Sequence, residues 1–196
     1  MKKAAFSKNL SKQIAFTAVF AALCFVGTYI TTVPLAVGNV NFGDVFVLLA
    51  GWFLGPLYGA LAAGVGSVLA DVISGYAIYA PATFLIKAFD AFIAYLVWTF
   101  LKKLIKNEKL DFLPRVFAAI VGEAWMIAGY FLFEGIFMVG FAGALANIPF
   151  NSIQGSVCLV GATLLTAALY PVKQIKSYFP LLADPSKNPL VRGQGA

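Results

Sequence analysis

The chain alternates long apolar stretches with short polar connections. Runs near residues 12–31, 43–54, 57–73, 81–101, 115–140 and 149–170 predict six helices. Crossing hydrocarbon takes roughly 20 residues, so the second and third are individually short. They are read as two helices because Gly55-Pro56 interrupts the run. Proline offers no backbone donor and clashes with the preceding turn, so a helix cannot pass through it undisturbed. The pattern predicts an all-α membrane protein with six transmembrane helices.

Charge placement bears on the orientation. Hydrophobic residues make up 61% of the 196 and charged residues 11%, against a soluble norm of roughly 45–50% and about 25%. A soluble fold could not cover so much apolar surface. Of the 14 basic residues, four lie at the N-terminus (Lys2, Lys3, Lys8, Lys12), five in the middle (Lys102, Lys103, Lys106, Lys109, Arg115) and four near the end (Lys173, Lys176, Lys187, Arg192). Lys87 stands alone. The connections 32–42, 74–80 and 141–148 contain no Lys or Arg. Six crossings put every basic cluster on one side, whereas a single kinked helix over 43–73 would place the middle cluster outside, against the positive-inside rule. Both termini are therefore expected in the cytoplasm. The net charge of +6 then reflects topology, and no nucleic-acid partner is expected. Residues 1–178 are expected to form one membrane domain. Residues 179–196, with Pro180, Pro185 and Pro189, are expected to form a loose cytoplasmic tail. The first apolar run is longer than the roughly 7–15 residues of a secretory signal and no A-x-A site follows, so it is read as the first span.

The chemistry is defined partly by what is missing. Without histidine the chain lacks the commonest general base and metal ligand. Cys24 and Cys158 lie singly in separate apolar runs, which suggests neither a disulfide nor a zinc site. Gly64-Val-Gly-Ser67 completes no nucleotide-binding motif and no Walker motif occurs. An enzyme is disfavoured, and no cofactor is expected in this chain.

What remains is a set of ionisable residues inside the apolar segments: Asp44, Asp71, Lys87, Asp90, Glu123 and Glu134. Such residues are expensive in hydrocarbon and mark functional positions by default. In the six-span topology Asp44, Asp71, Lys87 and Glu134 fall toward the outer helix ends. Asn39, Asn41, Asn147, Asn151 and Gln154 lie in or beside the outer loops, with Tyr76, Tyr79, Phe84 and Tyr130 nearby. Together they suggest an amphiphilic pocket open to the outside. Each has a plainer explanation. Asp44 follows Gly43 at a helix start and could cap it. Lys87 and Asp90 are three apart and could neutralise each other. Asp71 shares a stripe with Gly59, Ala63 and Ser67 and could belong to a helix interface. The tyrosines could form an interfacial belt. Glu123 and Glu134 are three turns apart on one face, about 16 Å. Glu134 is the better ligand candidate, and Glu123 a deep structural partner or a residue of the cytoplasmic half. Small residues form a second constellation: Ala15, Ala18 and Ala22 in the first span, and Gly59, Ala60, Ala63, Gly64 and Ser67 in the third. They suit close helix approach, either to another protein or within the bundle.

The basic N-terminus, the first-span A-x-x-x-A, Asn41-Phe-Gly-Asp44 and Leu49-Ala-Gly-Trp-Phe-Leu-Gly-Pro-Leu-Tyr-Gly-Ala60 resemble the S component of an energy-coupling factor (ECF) transporter. Ala70-Asp71, Ser74-Gly75-Tyr76 and Ala80-Pro-Ala-Thr-Phe-Leu-Ile-Lys87 extend the likeness, which runs from about residue 10 to 175. It is closest to the riboflavin, hydroxymethylpyrimidine and pyridoxine-type branch. The resemblance implies a six-helix substrate-binding subunit in the bacterial plasma membrane. It would capture a vitamin or vitamin precursor at the outer face and dock on a transmembrane coupling (T) subunit carrying two ABC-type ATPases. It would then topple to release its cargo, with ATP hydrolysed by the partners. By the same resemblance Asn41, Asp44, Tyr79, Lys87, Glu134, Asn147 and Asn151 would bind substrate, and Ala15, Ala18 and Ala22 would form the docking face. The excess of acids over the single embedded lysine favours a neutral or protonated heterocycle over a polyanion. A competing reading is an autonomous proton-coupled carrier or channel acting as a homo-oligomer, with Asp71, Asp90 and the Glu123/Glu134 face as a proton relay. Carriers of that kind often show internal repeats, and none is evident here.

Overall fold

The computed structural model describes residues 2–105 and 112–182. Chain order runs α1 (Lys2–Thr31), β1 (Val33–Pro34), β2 (Asn39–Val40), α2 (Asp44–Leu54), α3 (Pro56–Ile73), α4 (Ala80–Leu104), α5 (Phe112–Phe137), α6 (Gly140–Ala144), α7 (Ile148–Leu169) and α8 (Lys173–Tyr178). Short 3-10 turns at Ala77–Tyr79 and Leu145–Asn147 lead into α4 and α7, and another at Pro180–Leu182 follows α8. The six apolar runs are thus all helical. The break at Gly55-Pro56 is present: Gly55 adopts φ 85°, which favours glycine, and Pro56 opens α3, where its missing N–H costs nothing.

Helices α3 and α4 pack together, α1 lies against α3, and α5 packs between α4 and α7. The 11-residue α2 touches α1, α3, α4 and α7, and every residue from Val47 to Phe53 is buried. It rises only about 16 Å. Its central place accounts for an unbroken apolar stretch with no solvent or lipid face.

The outer surface of the bundle is apolar. Leu57, Leu61, Val65 and Leu69 form an exposed stripe along α3, and Ile153, Val157, Val160 and Leu164 do the same on α7. Soluble monomers rarely expose contiguous apolar patches beyond a few hundred Å². The acids and amides instead lie inside, so the polarity pattern is inverted relative to a water-soluble bundle. Among the described residues, five helices are long and apolar enough to cross a membrane: Leu10–Thr31, Pro56–Ile73, Ala77–Leu104, Phe112–Phe137 and Gly140–Leu169. The fold is that of an all-α, multi-pass membrane protein.

Two features of the packing bear on the expectations from sequence. The tail expected to be loose from residue 179 is packed at its start. Phe179 meets Phe16, Phe20 and Phe53, and Leu182 is fully buried with the largest core cluster. Arg115, stacked over Trp98, donates to the Leu182 carbonyl at 2.6 Å. Local proline content could not reveal this, because the aromatic partners come from α1 and α2. Residues 183–196, with Lys187 and Arg192, lie outside the described residues, as do Lys106 and Lys109. The two small-residue sets also separate. Gly59 lies against Ala50 and Gly51, Gly64 against Phe84, and Gly66 against Ala21 and Cys24, so α3 spends its glycines on internal packing. Ala15, Ala18 and Ala22 are exposed on α1.

Candidate functional site

At the end of the bundle where α3 ends and α4 begins, a small cavity with an open mouth is lined almost wholly by polar residues. Each wall follows from local sequence. The loop between α1 and α2 turns back on itself as a small antiparallel ribbon pairing Val33 with Val40 and Pro34 with Asn39. Its turn needs Gly38, at φ 70°. A Cβ there would also press on Glu134 Oε1 and the Tyr79 hydroxyl, so the turn lies directly on that pair. The ribbon delivers Asn39 and Asn41 to the cavity. On α4, Thr83 and Lys87 are four residues apart and therefore share a face. Ser67 and Asp71 have the same spacing on α3, as do Tyr130 and Glu134 on α5.

Separate sets of hydrogen bonds tie these elements together around the cavity. Lys87 Nζ bonds Asp44 Oδ1 at 2.5 Å, and both side chains are almost completely buried. Gln154 Nε2 donates to Asp44 Oδ2 at 2.6 Å, while its carbonyl oxygen accepts from the Asn41 backbone N–H at 2.8 Å. Asn41 Oδ1 accepts from the Gly43 N–H at 3.0 Å, and its amide donates to Asn39 Oδ1. At the other side, Asn147 Nδ2 donates to Glu134 Oε2 at 2.9 Å and to the Val37 carbonyl at 2.7 Å, pinning the ribbon to the start of α7. The Tyr79 hydroxyl donates to Glu134 Oε1 at 3.4 Å, a weak contact. Thr83 and Tyr130 hydroxyls lie 3.1 Å apart, and Lys87 Nζ sits 5.3 Å from the Tyr130 ring centre.

All seven residues singled out by sequence line the cavity or bond directly to a residue that does. Asn41, Tyr79, Lys87, Glu134 and Asn151 line it. Asp44 and Asn147 do not; they hold Lys87 and Glu134 in place from behind. The plainer explanation of Lys87 is corrected: its partner is Asp44, 43 residues away, and Asp90 forms no hydrogen bond through either carboxylate oxygen. The capping explanation of Asp44 also falls, because Gly43 occupies the cap position and no side chain caps α2. Gln154, which the sequence placed beside the outer loops, lines the cavity too; Thr28, Ser67 and Thr83 also line it and were not among the pocket residues singled out. Thr83 was legible as the residue one turn before Lys87. Thr28, at the end of α1, carried no local signal.

Below the cavity the α4 carboxylate of Asp90 lies against the α5 backbone at Gly122, and Glu123 faces Gly155 of α7. Glu123 is thus an interhelical residue, and its two oxygens also lack partners. Among the described residues no group of His, Cys, Asp or Glu is arranged to hold a metal ion.

Comparison with known proteins adds the family context. Residues 8–171 match the model for the S component of the ECF-type riboflavin transporter. An uncharacterized protein in the gap 3′ region of Pyrococcus woesei is 34% identical over 133 residues, covering 67% of this chain and 83% of that protein. A protein of Lactococcus lactis subsp. cremoris (strain MG1363) described as the thiamine precursor transporter HmpT is 26% identical over 163 residues, covering 82% of this chain and 88% of that protein.

Proposed function

This chain belongs to the ECF-type riboflavin transporter S-component family, and we propose that it captures a heterocyclic vitamin or vitamin precursor in the cavity capped by the Val33–Val40 ribbon. The family is one of substrate-binding membrane subunits rather than enzymes, and ATP is used by partner subunits. The candidate substrates are riboflavin, hydroxymethylpyrimidine and pyridoxine. A thiamine precursor gains support from the L. lactis relative, a thiamine precursor transporter, and hydroxymethylpyrimidine is the candidate of that kind.

The observation that carries this reading is the polar cavity at one end of an otherwise lipid-facing bundle, with aromatic rings and amides converging from four elements. Rings of Tyr79 and Tyr130 supply apolar contact, and Asn41, Asn151, Lys87 and Glu134 supply orientation. Among the described residues the one cation lining it, Lys87, is already paired with Asp44, whereas Asp71 and Glu134 are both acids. A phosphate ester would meet two carboxylates without a free cation, so the unphosphorylated vitamin is the favoured form.

In the membrane we place the cavity outside, with six crossings, both termini in the cytoplasm and α2 as the short, protein-enclosed second crossing. The exposed Ala15, Ala18 and Ala22 face supports docking on a T subunit associated with two ATPases, followed by toppling in the plasma membrane to release the cargo inward. A smooth alanine face lets another helix approach closely.

The test is calorimetric titration of the purified chain in detergent with riboflavin, hydroxymethylpyrimidine, pyridoxine and their phosphate esters. One unphosphorylated compound should bind. Glu134→Ala should weaken it by about five- to a hundred-fold, the equivalent of leaving one buried partner unsatisfied. Failure of all of them to bind, or unaltered affinity in Glu134→Ala, would overturn the assignment of substrate class and site.

A further inference from the structure

The cavity has one carboxylate whose capacity the protein uses only in part, through the Thr83 side chain. Asp71 lies on α3, lines the cavity and is only 6% exposed. Its Oδ2 has no hydrogen-bond partner. One turn earlier on the same face, Ser67 also lines the cavity at 1% exposure, and its hydroxyl is likewise unpartnered. Lys87 is paired with Asp44, and among the described residues no cation forms an ion pair with Asp71. Buried polar groups in folded proteins nearly always find partners, and two orphans on neighbouring turns of one cavity wall ask for a ligand that supplies them. They do not duplicate each other. An ionised carboxylate accepts only, whereas a hydroxyl also donates.

We propose that Asp71 and Ser67 form a specificity edge that reads a heterocycle presenting an N–H donor beside a ring acceptor, with Asp71 Oδ2 accepting from the N–H and Ser67 Oγ donating to the acceptor. The spacing suits this: side chains four apart on a helix have Cβ atoms about 5–6 Å apart, a separation that adjacent ring substituents can bridge. The proposal rests on the vitamin-binding reading above and narrows it. Hydroxymethylpyrimidine, with an exocyclic amino group next to a ring nitrogen, fits. So does the imide edge of riboflavin. Pyridoxine does not: even in its zwitterion the pyridinium N–H lies between a methyl group and a C–H, with no acceptor beside it.

Titration of the full chain with paired probes tests it. The parents are riboflavin and hydroxymethylpyrimidine; their blocked counterparts are N3-methylriboflavin and the dimethylamino pyrimidine. Whichever parent binds should lose about five- to a hundred-fold in affinity on methylation. In Asp71→Ala the parent should weaken by a similar factor, and the ratio between parent and methylated probe should shrink toward one. Asp71→Asn, which keeps an acceptor oxygen, should retain part of the ratio. Equal binding of parent and methylated probe to the wild-type chain would refute the proposal without any variant. So would selective binding of pyridoxine, or a ratio unchanged in both Asp71 variants. Binding by none of the parents and not by pyridoxine would remove the vitamin-binding reading itself, and this edge with it.

Discussion

Replacing Lys87 by Met should expose the energetic weight of its pairing with Asp44. Both groups are buried, and Asp44 receives only Lys87 and Gln154. Removing the lysine leaves a carboxylate in a low-dielectric interior with one neutral amide for company. Breaking one half of a buried pair costs about 3–5 kcal/mol, because the orphan keeps its desolvation penalty and loses its attraction. For a chain of this size each kcal/mol moves the midpoint by about 2–4 °C, so a fall of roughly 6–20 °C is expected. Adding Asp44→Asn should recover much of it, since a neutral amide can still bond Gln154. The assay is thermal unfolding in detergent of the wild type, Lys87→Met, Asp44→Asn and the double variant, with a parallel cycle on Asp90→Asn. Coupling in the Asp44 cycle should be about 2 kcal/mol or more, near the upper part of the range for contacting residues. The Asp90 cycle should give less, because no hydrogen bond joins Asp90 to Lys87. A larger coupling to Asp90 than to Asp44 would refute the pairing on which the geometry of the cavity depends.

Three further outcomes are expected. Ala18→Trp and Ala22→Trp should abolish uptake in cells carrying the partner subunits while leaving ligand binding by the isolated chain intact; loss of both together would mean the face packs within the protein. In a chain with Cys24 and Cys158 replaced, single cysteines at Ala77 and Ala146 should react with an impermeant thiol reagent from outside and one at Lys103 should not, and outside labelling at Lys103 would exclude six crossings. Leu182→Ala should cost about 2–5 kcal/mol by leaving a cavity in the core, read as a lowered unfolding midpoint, since Leu182 is fully buried; an unchanged midpoint would mean that the Pro180–Leu182 turn adds nothing to the core.

By itself the sequence determined what is local or averaged over many residues. Helix positions followed from apolar runs, and the α2–α3 break followed from Gly55-Pro56, because backbone geometry there depends on adjacent residues alone. Composition settled the membrane class, and the cost of burying charge drew attention to Asp44, Lys87 and Glu134 before any contact was known. Only the tertiary structure decided which of these meet. Lys87 has an acid three residues away on its own helix, yet it pairs with one 43 residues distant. Gln154 reaches Asp44 and Asn41 across more than a hundred residues. Thr28 enters the cavity wall, and Leu182 joins the core, through the placement of helices remote in the chain. The reason is geometric. Spacing along a helix tells which side chains share a face, but the partner of a face depends on how each helix is rotated about its axis and how deep it sits against its neighbours. Those two quantities are set by the packing of the whole bundle at once.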